Sequence, residues 1–326
     1  MAADNDLEEY ALNNLNEIEG TFPTNSIEQI VVQTHLKSHS FNTNLTKNSA
    51  IVEKQSPLIN PNEQLNEFLI KNIKKNQENV LILWGHGQGP RKKNSTKNFG
   101  GLFTSSVNYP PLSTEELGTI LNGKNISMLI FDMCLMQNLQ VITDLKNSVE
   151  IIIASAQIQN LIGLPYEKIL NAFDKEKNLE QVAKEIVFHT SNNMPNKNFT
   201  ISAIYSGVNY QLAEKLNELN KLLNAFLQTD PYFEFIYSNY FIDLPNFPGG
   251  YYDLGMYLGI LKKLEYENNI FSKKINSQIN NVLDELVFAL IEKSFGSEYT
   301  EFNRPYYIEF FQGISITKEM MVLPNL

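Results

Sequence analysis

The chain holds one cysteine, one tryptophan and four histidines among 326 residues. One cysteine excludes an intramolecular disulfide framework, and it excludes zinc sites of the four-Cys or two-Cys-two-His kind. Basic residues are also scarce: 26 Lys and Arg face 36 Asp and Glu, for a formal charge of −10. With no basic excess to neutralise phosphates, nucleic acid is excluded as a partner. The acidity suits a protein that prefers basic substrates. No apolar run approaches the roughly 18 residues of a membrane span. The opening MAADNDLEEY has neither the basic start nor the apolar stretch of a signal peptide, and one thiol says little about compartment.

What the chain does hold is apolar material, 43% of its residues, enough to exclude wholesale disorder. No repeat of fixed period is present. Three continuous apolar runs stand out: Val80 to Trp84, Ile126 to Phe131, and Ile151 to Ala154 after Glu150. Ile30 to Val32 is a shorter one, and Phe199 to Tyr205 and Tyr306 to Ile316 are further strand candidates. Between them lie amphipathic stretches with helical spacing. The first is Leu7, Ala11, Leu15 and Ile18, with Asp4 or Asp6 as cap. Others are Glu63 to Ile73, Ser113 to Leu121 with a capping box at Ser113 and Glu116, and Leu179 to Phe188. Gln211 to Phe226, Tyr252 to Leu264 and Ile275 to Ile291 follow. Residues 90–111 and 229–250 have loop composition. Continuous apolar strands alternating with helices predict an α/β fold, its mostly parallel central sheet covered on both faces. Residues 1–206 form the sheet core and 207–326 a helical elaboration with a late core strand, in a single domain.

In such sheets ligands and catalytic groups collect beyond the carboxyl ends of strands. Two of the apolar runs end in chemistry: Gly85-His86-Gly87 and Asp132-Met133-Cys134. A thiol nucleophile needs a base, and the four histidines are His35, His39, His86 and His189. Forty-eight residues separate His86 from Cys134, room for one loop and one crossover helix between neighbouring parallel strands. Gly85 and Gly87 permit a sharp turn, and the Gly87 and Cys134 N–H groups can face a developing oxyanion. Acyl transfer requires this set. The plainer alternatives are a buried small hydrophobe at Cys134 and a turn or cap role for Asp132. His35 and His39 have no carboxylate pattern around them, so no metal site is expected there. The glycine cluster after Trp84 matches neither a phosphate loop nor a dinucleotide fingerprint.

At these residues the sequence resembles the clostripain family of cysteine peptidases, relatives of the caspase, gingipain, legumain and separase group. The resemblance runs through Met1 to Glu8, Leu81 to Gly89, Phe131 to Met136, Ala154-Ser155, Gly163 to Tyr166 and Gly313 to Ile316. It implies a caspase-like fold and a Cys134–His86 dyad that cleaves peptide bonds. It also implies an Asp132 carboxylate that receives an Arg or Lys side chain, with Ser155 lining the same pocket. A guanidinium or ammonium against a carboxylate in a partly dry pocket is physically apt. Family members often cut themselves after the histidine motif, where Arg91, Lys92, Lys93 and Lys97 stand. Where the family carries acidic residues after Ala-Ser, this chain has Ala156 and Gln157, so pocket acidity rests on Asp132. Gln140 stands for a usual Glu, and Pro90 and Leu164 for usual aromatics. The match starts after the family's first strand, so that internal strand is expected to be missing. Family members are typically exported. Some depend on calcium, but no loop here has the spaced oxygen ligands, and no cofactor is expected. The expected partner is a peptide or protein substrate, handled by a monomer. The competing readings are a peptide-binding module on the same fold that does not cut, and a hydrolase of small amides.

Overall fold

A computed structural model of the chain describes residues 1–22, 26–57, 60–91, 100–104, 109–173, 176–194, 199–207, 209–229, 246–247, 250–268, 271–296, 312–317 and 320–321. In chain order the elements begin with β1 (Ala2–Ala3), α1 (Glu8–Thr21), β2 (Gln29–Leu36), β3 (Ser40–Thr46), β4 (Ser49–Gln55) and α2 (Pro61–Asn72). Then come β5 (Asn79–Trp84), α3 (Thr114–Leu121), β6 (Ile126–Asp132), α4 (Leu139–Leu145), β7 (Val149–Ala154), α5 (Tyr166–Ala172) and α6 (Leu179–Asn193). The later part holds β8 (Thr200–Tyr205), α7 (Asn209–Leu227), β9 (Asn246–Phe247), β10 (Tyr251–Asp253) and α8 (Leu254–Asn268). It closes with α9 (Lys273–Ala289), β11 (Leu290–Phe295) and β12 (Ser315–Thr317).

The central sheet has the order β11-β8-β7-β6-β5. β5, β6 and β7 run parallel, and β8 and β11 turn antiparallel. The apolar runs are continuous because both faces of this sheet are covered. On β6, Leu129 and Phe131 pack into a core with α2, α3, α4, α7, α8 and α9. Met128 and Ile130 point the other way, into a core with α1, α5 and α6. All four are fully buried, and each contributes roughly 1.5–3 kcal/mol of burial. Because β6 is gripped from both sides, its carboxyl end is a fixed platform.

Some elements differ from the sequence reading. β3 and β4 form a hairpin on β2, with register Thr46↔Ser49 closing on a two-residue turn. Its strands are polar, and β4 is exposed almost throughout, so no buried face shows as alternation. The helix expected to reach Ile291 stops at Ala289, and the next six residues become β11. Their own preference is weak; the open edge of β8 takes them up. Thus a strand of the later half enters the central sheet. β12 pairs with β10 in a small separate sheet of order β12-β10-β9, while the residues 306–311 of the expected last strand lie outside the described ones. Most of the expected loop 229–250 lies outside them too. Finally, α1 has no side-chain cap. Asn5 accepts from the Leu7 N–H at 2.9 Å, which frees Asp6 for another partner.

Candidate active site

The carboxyl ends of β5 and β6 lie side by side, with Trp84 in register with Asp132 and the Gly85 N–H donating to the Asp132 carbonyl at 3.3 Å. Beyond them the two motif loops touch. A Cβ on Gly87 would stand 2.7 Å from the Cys134 carbonyl oxygen and 3.0 Å from the Met133 Cβ. The need for glycine at 87 is therefore close approach, whereas Gly85 meets its need through a φ of 146°.

The histidine loop is held by a short ladder. Phe103 N–H donates to the His86 carbonyl at 2.8 Å and Gln88 N–H to that of Gly101 at 3.1 Å. The Tyr251 hydroxyl donates to the Gln88 carbonyl at 3.0 Å, so β10 braces this loop. The nucleophile loop is pinned likewise. Leu135, at φ 63°, donates its N–H to the Gln157 carbonyl at 3.0 Å, and Gln137 N–H donates to that of Ser155 at 2.9 Å. Ser315 of β12 donates to the Gln137 carbonyl at 2.8 Å.

Between the loops opens a cavity of about 320 Å³. His86, Gly87, Asp132 and Cys134 all line it, with Gln159 and Asn160 opposite. Four of the residues expected from sequence are thus brought together. Ser155 is not among the lining residues: it is fully buried, and its hydroxyl donates to the Gln157 carbonyl at 3.0 Å and meets Thr200 Oγ1 at 3.1 Å. It shapes the turn that holds the nucleophile loop. Arg91 is half-buried, its backbone bonded to Thr114, and lies away from the cavity. Lys92, Lys93 and Lys97 lie outside the described residues. The other histidines are elsewhere. His35 is buried against Ser40 on β2, His39 is next to Ser38, and His189 lies on α6.

One partner was not visible in the sequence. His86 Nε2 lies 2.8 Å from Asp6 Oδ1. A carboxylate accepts, so this nitrogen carries the proton and Nδ1 is left as the acceptor. The hydrogen bond from His86 also holds the Asp6 carboxyl below its ordinary range. An Asp before a helix reads locally as a cap, and only the fold shows where it points.

The thiol and the acid wall are both shaped by burial. Cys134 is raised above the ordinary thiol value chiefly by desolvation, with a Gln159 N–H at 3.3 Å from Sγ working the other way. Asp132 is pushed up to about 6 by burial, although its Oδ2 accepts from the Leu164 N–H at 3.1 Å and the Tyr166 hydroxyl at 3.0 Å. Its Oδ1 has no hydrogen-bond partner among the described residues. Gly163 is again a close approach, since a Cβ there would stand 2.9 Å from Asp132 Oδ2. Among the described residues no three His, Cys, Asp or Glu side chains gather as a metal site.

The mixed sheet wrapped by helices is a caspase-like fold, and the family match makes the chain a cysteine peptidase, a hydrolase of peptide or protein substrates. The model of the clostripain family matches residues 1–311, and the chain belongs to that family. Three solved structures share the fold. An inactive zymogen C11 protease from Parabacteroides distasonis is 18% identical, with a TM-score of 0.66, over 98% of this chain and 91% of that one. A secreted C11 cysteine protease from Bacteroides thetaiotaomicron, iotapain, is 14% identical with a TM-score of 0.65, over 98% and 91%. A secreted C11 cysteine protease from the same organism, in complex with an irreversible peptide inhibitor, is 18% identical with a TM-score of 0.63, over 90% and 82%. No curated protein matches the sequence. Among the described residues no helix is long and apolar enough to cross a membrane.

Proposed function

We propose that Cys134 and His86 form a dyad that cleaves peptide bonds after Arg or Lys, with Asp132 receiving the basic side chain. The supporting observation is a single cavity that holds the thiol, the imidazole and a buried carboxylate with one uncommitted oxygen. His86 Nδ1 takes the Sγ proton as the thiolate attacks the substrate carbonyl. The Gly87 and Cys134 N–H groups receive the oxyanion. The imidazolium then protonates the leaving amine, giving a thioester on Cys134. Water, deprotonated by His86, hydrolyses the thioester and restores the thiol. General acid–base help of this kind is worth roughly 10²–10⁴ in rate. Burial raises the Cys134 thiol, so in this reading His86 must take its proton as it attacks.

Self-processing belongs to the same proposal. Arg91 and the basic residues after it follow the histidine loop directly, so cleavage there matches the specificity assigned to Asp132. One relative of this fold is an inactive zymogen, which fits an enzyme that matures by cleavage.

The test is a fluorogenic peptide panel varied at the residue before the scissile bond, run with the parent, Cys134→Ala and His86→Ala. Turnover after Arg and Lys is expected, lost in Cys134→Ala and reduced at least a hundredfold in His86→Ala. Parent-like turnover by folded Cys134→Ala would sink the dyad. A preference for other residues would keep the dyad and remove the role of Asp132.

A further inference from the structure

The loop after β7 carries an apolar surface that the chemistry at Cys134 leaves unused. Ile158 and Leu161 are each 51% exposed, and Ile162 is 48% exposed. Single exposed aliphatic side chains are ordinary on a protein surface. Three of them between positions 158 and 162 form a patch, and exposed apolar patches mark contact sites. Ile158 and Leu161 line the cavity that holds Cys134, while Ile162 lies outside it.

The backbone beneath these side chains is fixed. The Gln157 carbonyl accepts from the Leu135 N–H at 3.0 Å, and the Gln159 N–H donates to Cys134 Sγ at 3.3 Å. The Asn160 carbonyl accepts from the Gly163 N–H at 3.1 Å, closing a turn with Leu161 and Ile162 at its tip. The Asn160 side chain accepts from the Ile162 N–H at 3.2 Å, and Asn14 of α1 donates to the Ile162 carbonyl at 3.0 Å. The exposure is therefore built into the loop. A ligand that covers these side chains has little backbone order left to impose.

Their position decides which part of a substrate they meet. The sheet order runs β7, β6, β5, so Cys134, beyond β6, stands between His86 and the start of this loop. The imidazolium protonates the leaving amine, so residues after the scissile bond lie on the His86 side. Residues before it lie on the β7 side, against Ile158 and Leu161. The basic side chain turns down to Asp132, and the residue preceding it is the next to pass the loop.

We propose that Ile158 and Leu161 form an apolar subsite for an aliphatic side chain immediately before the basic residue, so that preferred substrates carry Leu, Ile or Val followed by Arg or Lys. The direction of the substrate chain in this inference rests on the dyad reading above. Gln159 and Asn160, which complete this wall, are uncharged and offer nothing to a second charge. In an apolar pocket a difference of one methylene is worth roughly 10–200-fold. Two half-exposed walls put the expectation at the lower end.

The test uses fluorogenic peptides acetyl-Ala-Xaa-Arg, with Leu, Val, Ala, Gly or Asp at Xaa. For Leu, kcat/KM should be about tenfold or more above Gly, with Asp lowest. In the double variant Ile158→Ser/Leu161→Ser, folded by circular dichroism, the Leu-to-Gly ratio should fall to about threefold or less. Ile162→Ser, off the cavity, should keep the parent ratio. The free acids acetyl-Ala-Leu-Arg and acetyl-Ala-Gly-Arg are also titrated into Cys134→Ala. Trp84, the single tryptophan, lines the cavity and reports binding by its emission. The Leu acid should bind about fivefold or more tightly than the Gly acid. Should the double variant not fold, the peptide comparisons decide. The subsite is overturned by equal turnover of the Leu and Gly peptides, or by equal binding of the two acids where neither peptide is cleaved. It is also overturned by an unchanged ratio in the folded double variant. A chain that sediments as a dimer until these two side chains are replaced would overturn it as well, since a second copy would then cover them. The two readings separate cleanly: cleavage after Arg that ignores Xaa keeps the dyad and removes the subsite. Preference for the Leu acid in a chain that cleaves nothing does the reverse.

Discussion

Asp132 and Asp253 are two buried carboxyls that burial raises alike, each to about 6. Their surroundings separate them. Asp253 ends β10 and uses both oxygens. It accepts from the Met256 N–H at 3.0 Å, the Gln312 N–H at 3.1 Å and the Gly313 N–H at 2.7 Å. It therefore clamps the start of α8 to the segment leading into β12. Asp132 spends one oxygen on Leu164 and Tyr166 and turns toward the cavity. A perturbed carboxyl is not by itself a site. What sets Asp132 apart is unspent acceptor capacity beside a thiol.

The largest effect that sharpens this contrast is Asp132→Asn. Losing one partner of a desolvated charge pair costs about 2–5 kcal/mol, so kcat/KM for peptides with Arg or Lys before the scissile bond should fall at least thirtyfold. Peptides with a neutral residue there should change little. The pH dependence follows from the raised carboxyl. The folded state holds this proton more tightly than the unfolded one. The stabilising contribution is therefore complete below about 3.8 and is lost as pH rises through about 6. Cleavage after Arg should instead decline as pH falls through about 6, since the cation needs the carboxylate. Asp132→Asn should abolish the rate dependence and remove only its own share of the stability dependence, as read by rate profiles and melting curves, since Asp253 titrates in the same window. Equal loss for all peptides would mean Asp132 only shapes the loop.

Next in size is Asp253→Ala. Three buried N–H groups lose their acceptor, each worth about 1–3 kcal/mol, and the variant should melt several degrees lower. Activity per folded molecule should stay near that of the parent across the peptide panel. A changed specificity in folded Asp253→Ala would erase the distinction between the two carboxyls.

Much of this was legible in sequence for a physical reason. β5, β6 and β7 are buried on both faces, and such strands read as unbroken apolar runs whatever surrounds them. Cys134 stands out as the candidate nucleophile because it has no rival, and His86 as its candidate base because it ends such a run. β3, β4 and β11 were not legible, since their place is set by an open edge rather than by a buried face of their own. Ser155 shows a second limit: a motif gives proximity in chain but not which way a hydroxyl turns. Gly87 shows a third. Its glycine requirement comes from the Cys134 carbonyl, which no local pattern reveals.

Asp6 gives the smallest and most discriminating effect. Three short-range roles compete in Asp4-Asn5-Asp6. Asp4 takes the Tyr109 hydroxyl at 3.0 Å, Asn5 turns the chain into α1, and Asp6 is left to meet His86. The Asp6 side chain is 72% exposed, so its charge is screened and worth about 0.3–1 kcal/mol. Its geometric role is separable from that charge, because an amide oxygen still accepts from Nε2–H. Asp6→Ala should lower kcat about five- to tenfold with KM unchanged. Asp6→Asn should recover most of the loss. Nitrogen NMR of labelled histidine should show the Nε2–H tautomer of His86 weakened in Asp6→Ala and kept in Asp6→Asn. If Asp6→Ala retained parent kcat and the same tautomer, the loop ladder alone would orient His86. The cavity would then depend on a single carboxylate, Asp132.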